Sequence, residues 1–276
     1  MTEQYYTATE AQQKLGLSKA MFFRKVKQGF IRKIVPPGMK QGVYPKRDID
    51  ALALSMYQAF EQDDVISFSR STIADQVEEM DIGIRYFGRD FITPLPERIA
   101  FQQKNEFTFH SLKAHGHVVG YISMFRFSDA FLDQLLTGRY VERDITVREV
   151  LPFVRLEPFH IYIDVMAVDP SVPHHLKDLY VGLLVSHIID LILNLRNNGY
   201  LIEKIYTVGT TKEADSLVRQ LGFQPMEHKS LDPGRTAYEF LLNEEGIRSL
   251  QAFRNRSSLF NEAKEVARER RAIAAG

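Results

Sequence analysis

The sequence predicts an α+β protein of two domains: a small N-terminal winged helix-turn-helix, then a larger mixed α/β sheet with flanking helices. Three observations carry this. The first fifty residues hold two short capped helices and a Pro-Gly hairpin; charge is unevenly divided along the chain; and beyond residue 65 a strand hairpin gives way to alternating strands and helices. At 276 residues, 45% hydrophobic and 25% charged, the chain is long enough to bury two cores. The boundaries expected are 1–56 for the first domain, 57–64 for a linker, 65–243 for the second domain and 244–276 for a helical extension.

In the first domain, Thr7 followed by Glu10 forms a capping box for a helix running to about Leu15. Leu15-Gly16-Leu17 makes the turn, and Ser18 caps a second helix in which Phe22 and Val26 lie four residues apart and face inward. Gly29 stops that helix, with Phe30 and Ile31 just beyond. Lys19, Met21, Arg24 and Lys25 are then left facing outward. Two short strands around Pro36-Pro37-Gly38 follow, and Pro45-Lys46-Arg47-Asp48 opens another helix.

Charge points the same way. Residues 1–50 hold ten Lys or Arg against four acids, a net +6, so with a formal net charge of zero the rest of the chain carries −6. A cationic module on an acidic body is the footprint of polyanion binding, although a solvated charged surface would give the same count.

Residues 5 to about 54 resemble the MerR-like and excisionase-like DNA-binding domains. The shared features, in order, are tyrosine-threonine, a capped first helix, a Leu-Gly-Leu-Ser turn, a recognition helix with a Gly stop, a wing, and tyrosine-proline before an acidic helix start. The resemblance implies that Lys19, Met21, Arg24 and Lys25 enter a groove of double-stranded DNA, that Lys40 and Gln41 on the wing approach its backbone, and that the chain works as a homodimer. Use of the same fold for protein contact alone stays open.

In the second domain, Val65–Phe68 reads as a strand and Thr72 to about Phe87 as a helix with Ile73, Val77, Met80 and Ile84 at helical spacing. Residues 106–112 and 118–127 read as a hairpin around Ala114-His115-Gly116-His117, with short helical stretches from about Asp129 to Val150. His160–Val168 is a buried strand. A long helix carries Leu176, Leu179, Leu183, Ile188, Leu191 and Leu195 and stops at Asn197-Asn198-Gly199. Strand 202–208, helix 212–221 and strand 236–242 complete the unit.

This order resembles the GNAT superfamily of acyl-CoA-dependent N-acyltransferases. Two stretches carry the resemblance: Ile163-Asp164-Val165-Met166-Ala167-Val168-Asp169-Pro170 with its helix, and Ala214 to Phe223 ending in Leu-Gly-Phe. It implies acetyl-CoA or another acyl-CoA as cofactor, with Val168 and a loop of Lys177, Tyr180, Val181 and Gly182 at the CoA pyrophosphate, and Asp164 as general base. Two positions depart from the family. Tyr180 replaces a glycine of the pyrophosphate loop, and Val218 stands where many members carry a tyrosine that protonates the leaving thiolate.

Other chemistry is poorly supplied. With no cysteine there is no disulfide, thiolate metal site or cysteine nucleophile, and the redox compartment is left open. His174-His175 with Asp169 or His187 lacks metal-ligand spacing, so no metal is expected. His110, His115 and His117 read as turn histidines. No Walker loop, Gly-x-Ser-x-Gly or Gly-x-Gly-x-x-Gly occurs. The N-terminus lacks a signal sequence and no apolar run is expected to span a membrane, so a cytoplasmic protein is the expectation. The extension, with Leu259, Ala263 and Val266 as its apolar stripe, is expected to dock on the body or on a second subunit; a DNA-contacting arm is the other reading. Together these predict a DNA-binding regulator whose body senses a ligand or mediates dimerisation. The alternatives are a DNA-tethered acetyl-CoA-dependent N-acetyltransferase and an excisionase-type recombination factor.

Overall fold

The computed structural model describes residues 5–15, 17, 19–27, 29–36, 41–61, 66–227, 230–232 and 234–257; of Met21, residues 54–61, His175, Arg256 and Ser257 it describes the backbone alone. Ser18, Lys40, the Pro-Gly tip of the wing and the stripe at Leu259, Ala263 and Val266 lie outside these residues. Two compact units result: the smaller takes the described residues up to Glu61 with His174–Leu176 and Ser257, and the larger takes the other described residues from Ile66 to Arg256.

The smaller unit contains α1 (Ala8–Leu15), α2 (Lys19–Lys27) and α3 (Lys46–Glu61), with β1 (Tyr5–Tyr6) paired antiparallel to β2 (Tyr44–Pro45). The capping box forms as the sequence requires: the Thr7 amide donates to Glu10 Oε2 at 2.7 Å, and the Glu10 amide donates to Thr7 Oγ1 at 3.2 Å. Ala11, Leu15, Leu17, Phe22, Ile31, Tyr44 and Ile49 make its core, with Phe22 edge-on to Tyr44 at 4.9 Å. Gly29, at φ +86°, supplies the left-handed residue that ends α2. Two details differ from expectation. The wing strands reduce to a single bridge, Ile34 to Val43, and α3 runs on to Glu61 through much of the expected linker.

The larger unit is a seven-stranded mixed sheet, in the order β3 (Ile66–Arg70), β4 (Phe109–Ala114), β5 (His117–Phe125), β6 (Pro158–Val168), β7 (Leu201–Gly209), β9 (Thr236–Leu241), β8 (Gln224–Pro225). All neighbours are antiparallel except β6 and β7. The β4–β5 hairpin turns through His115 and Gly116, both at positive φ (54° and 81°), as a two-residue loop demands. Its helices are α4 (Ile73–Phe87), α5 (Leu95–Lys104), α6 (Asp129–Leu136), α7 (His174–Asn197), α8 (Lys212–Gln220) and α9 (Glu244–Ser257).

One face of the sheet is an aromatic core in which Phe101 of α5 and Phe131, Leu132, Leu135 and Leu136 of α6 pack with Phe109, Phe125, Tyr162 and Tyr206. α7 lies on the other face, where Leu184 approaches Gly120. By length and composition α7 is apolar enough to cross a membrane, which the sequence reading did not anticipate. Burial of Tyr180, Leu184, Val185, Ile188, Ile189, Ile192 and Leu195 accounts for that apolarity as the cover of a sheet.

The sharpest correction concerns α4. Its helix lies where expected, capped by a Thr72–Asp75 box, but it is turned over. Asp75, Gln76, Glu79, Ile82 and Gly83 are buried, while Ile73 and Val77 of the apolar stripe are exposed.

Candidate functional site

The parallel pair parts half-way along. β6 pairs with β7 from Pro158 to Ile163 but with β5 as far as Val168. Residues 164–168 therefore have a strand partner on one side only, inside the sheet. Asp164 sits at the parting, as the extra residue of a bulge between Ser123↔Val165 and Met124↔Ile163. Bulges commonly re-aim a side chain in this way.

Ser123 holds that carboxyl. Its Oγ donates to Asp164 Oδ2 at 2.9 Å and accepts from the Val165 amide at 3.2 Å. Although the residue keeps some solvent contact, desolvation by the protein around it, reinforced by the negative charge of Glu142, raises the Asp164 pKa to about 7. Glu142 itself stays ionised. Burial opposes this, but Arg235 donates to both its oxygens at 2.9 and 2.7 Å and Tyr162 donates at 2.7 Å, holding it below the usual carboxylate range. Neighbouring carboxyls thus have opposite tendencies, one fixed as an anion and one able to exchange a proton near neutrality.

A second polar cluster lies under α4. Glu79, fully buried, accepts from Ser71, Ser111 and Arg98, and the Arg98 guanidinium stacks 4.0 Å from the Phe109 ring centroid. Burial pushes the Glu79 carboxyl up against the pull of these partners. Burial raises the Tyr121 hydroxyl, and the negative charges of Asp164 and Glu79 add to this. Sequence reading missed Ser123, Glu142, Arg235, Glu79 and Arg98, because most of their partners lie 19 to 93 residues away and no local spacing joins them.

The expected pyrophosphate loop is displaced. Lys177, Tyr180, Val181 and Gly182 lie in the first turns of α7, with Tyr180 buried, so they form no loop. The connection is Asp169–Pro173, and it is poor in free amides. Pro170 and Pro173 have none, the Ser171 amide donates to Asp169 Oδ1 at 2.9 Å, and the Val172 amide donates to the Asp169 carbonyl at 3.1 Å. Arg85 neutralises Asp169 at 2.5 Å, Tyr86 donates to the Val168 carbonyl at 2.8 Å, and Lys177 lies over the Tyr86 ring at 5.8 Å. The start of α7 has no side-chain cap, which leaves the helix dipole and Lys177 as the local attraction for an anion. Val218 lies in α8, its carbonyl accepting the Phe223 amide.

In the smaller unit Lys19, Arg24 and Gln41 are exposed, and Lys25 is half-buried with its ammonium 5.8 Å from the Phe30 ring centroid. Lys14 pairs with Asp50 at 3.6 Å and Lys46 lies over Tyr6 at 5.2 Å, so part of the positive charge is spent internally. Among the described residues no His, Asp or Glu group could hold a metal ion.

No family model matches the chain, and no curated protein does. Solved structures are similar over about two thirds of the chain. They include Ard1 from Thermoplasma volcanium (11% identity, 65% of this chain and 99% of that one, TM-score 0.43). An N-acetyltransferase from Staphylococcus aureus Mu50 matches at 13% identity, over 64% of this chain and 99% of that one, with a TM-score of 0.41. The GNAT-like decarboxylase GphF, solved with isobutyryl-CoA, matches at 13% identity over 64% and 100%, with a TM-score of 0.44. The larger unit has the mixed sheet with flanking helices that the sequence predicts.

Proposed function

We propose that the larger unit binds an acyl thioester of coenzyme A along the free edge of β6, and that the smaller unit binds duplex DNA, making the protein a ligand-responsive regulator. The observation that carries the first half is the parting of β6 and β7 after Ile163. A strand edge inside a sheet presents backbone donors and acceptors to an extended, amide-bearing chain, and the pantetheine arm of CoA has that chemistry. At the diphosphate the fit is weaker. With the Asp169–Pro173 amides absent or committed, Lys177 and the start of α7 remain to receive it. Acyl-CoA, when bound, brings a reactive thioester; the chain's own contribution at that point is the Asp164–Ser123 pair.

Exposed Lys19 and Arg24 on α2, with a net +6 over residues 1–50, support the DNA half. Arg24→Ala with Lys25→Ala should weaken duplex binding about tenfold and lower the slope of log affinity against log salt by about 1–2. Fluorescence anisotropy across a salt series measures both. Binding that is absent, or insensitive to salt, overturns this half.

Acyl transfer to an amine is the second reading, favoured by Asp164 titrating near 7, where a general base works best. The absence of a proton donor at Val218 argues for sensing. Calorimetric titration with acetyl-CoA separates the outcomes: no heat removes the ligand half, heat without turnover on an amine panel supports the sensor, and turnover supports the enzyme.

A further inference from the structure

Helix α4 carries its apolar side outward. Ile73, Val77, Met80, Ile84 and Phe87 recur at steps of four, three, four and three, the spacing of a coiled-coil seam. Ile73 is 58% exposed, Val77 44% and Phe87 45%, with Met80 and Ile84 half-buried. The side turned to the sheet is instead occupied by Asp75, Gln76, Glu79, Ile82 and Gly83. That side cannot turn over. Glu79 is tied to Ser71, Ser111 and Arg98, Asp75 to Lys113, and Gly83 sits where an added methyl would strike Ile92 and lie 3.1 Å from the Tyr121 hydroxyl. An apolar seam of 14 residue steps, about 21 Å long, is thereby locked facing outward.

We propose that this seam is the interface through which two copies of the chain associate, their α4 helices antiparallel about a two-fold axis at Met80. Charge selects the partner and its direction. Of the charges on and just after this helix that are not buried against the sheet, Glu78 and Asp81 lie in its first half, whereas Arg85, which also pairs with Asp169, and Arg89 lie at and beyond its end. Antiparallel pairing sets the acidic half of each helix beside the basic end of the other and opposes the two helix dipoles; parallel pairing sets like against like. About the same axis Ile73 meets Phe87 of the second copy, Val77 meets Ile84 and Met80 meets Met80, so one stripe is complementary to itself, as an isologous contact requires.

The test uses the full-length chain. Sedimentation velocity over a concentration series is expected to show a dimer, and Val77→Lys to weaken it by about 30-fold or more, the loss typical of a central contact. Because Val77 is exposed, the far-UV circular dichroism spectrum at low temperature should stay unchanged, so that the loss of association is not a loss of folding. A second variant reads geometry directly: the chain has no cysteine, so Met80→Cys places one thiol at the axis and should give a covalent dimer on mild oxidation or with a short bismaleimide. A wild-type monomer at every concentration overturns the proposal, whether the seam is then covered by another part of this chain or by another protein. So does a dimer that Val77→Lys leaves intact, or a Met80→Cys chain that fails to cross-link while dimeric.

Discussion

Replacing Arg98 with Met tests whether the polar side of α4 is held by charge or by packing. Glu79 has no solvent exposure, and of its three partners Arg98 alone carries a positive charge. Without that charge Glu79 must be buried as an uncompensated anion or take up a proton. Breaking a buried pair from one side costs about 3–5 kcal/mol, because the remaining charge keeps its desolvation penalty. The sign of the pH dependence follows from Glu79. A carboxyl whose folded-state pKa lies above its unfolded value contributes stability that is complete at low pH and lost as pH rises through the folded value. Removing Arg98 raises that value further, so the variant should lose about 3–5 kcal/mol at pH 7 and about 1–2 kcal/mol near pH 4.5, where the residual cost is lost stacking on Phe109. Amide hydrogen exchange of the α4 and β4 segments reads this locally, without assuming that two units unfold as one. Glu79→Gln added to Arg98→Met should recover more than half of the loss at pH 7. An equal loss at both pH values, with no recovery in the double variant, would refute the reasoning and assign Arg98 a packing role alone.

Two other outcomes concern the parting of the sheet. Asp164→Asn keeps an acceptor for the Ser123 hydroxyl but removes a carboxyl whose pKa is raised to about 7, so the wild type should lose stability as pH rises from about 4 through 7 while the variant does not. At pH 8 the variant should then be more stable by roughly 2–4 kcal/mol, and thermal melts that coincide at pH 5 and pH 8 alike would count against this. Asp169→Ala releases the Ser171 amide and the Arg85 guanidinium and removes a negative charge beside the start of α7. Acetyl-CoA affinity should rise about tenfold by calorimetry, and an unchanged or lower affinity places the diphosphate elsewhere.

Much of the fold was legible because the signals were local. The Thr7–Glu10 and Thr72–Asp75 caps, the glycine stops at 29 and 199 and the β-branched run at β6 each lie within a few residues of what they specify. Short elements without such signals, β1, α5 and the edge strand β8, were not foreseen. The site was legible only at Asp164. Ser123 reaches it across 41 residues and Arg235 reaches Glu142 across 93, so only the register of the sheet brings them together. Lys177 and Gly182 have the spacing of the family's pyrophosphate loop, but Pro173 starts α7 before any of these residues.

Helix α4 shows why periodicity leaves a question open. A stripe at steps of four and three says that a helix has an apolar side, but the direction in which it faces depends on what the other side can bind. For α4 the opposing strand β4 supplies Ser111 and Lys113, the β3–α4 connection supplies Ser71, and α5 supplies Arg98. These are hydrogen-bond donors; Ser71 and Ser111 can bond each other at 2.8 Å, but against an apolar stripe their second hydroxyl bond and the charges of Arg98 and Lys113 would go unmet, at about 1–3 kcal/mol apiece. Against Glu79 and Asp75 they are satisfied. Turning the polar side inward therefore avoids several such penalties at once, while an exposed Ile or Val costs about 1.5–3 kcal/mol until something covers it. If a second copy covers the stripe, both terms are met, and the orientation that looks wrong for a monomer is the favourable one for a dimer.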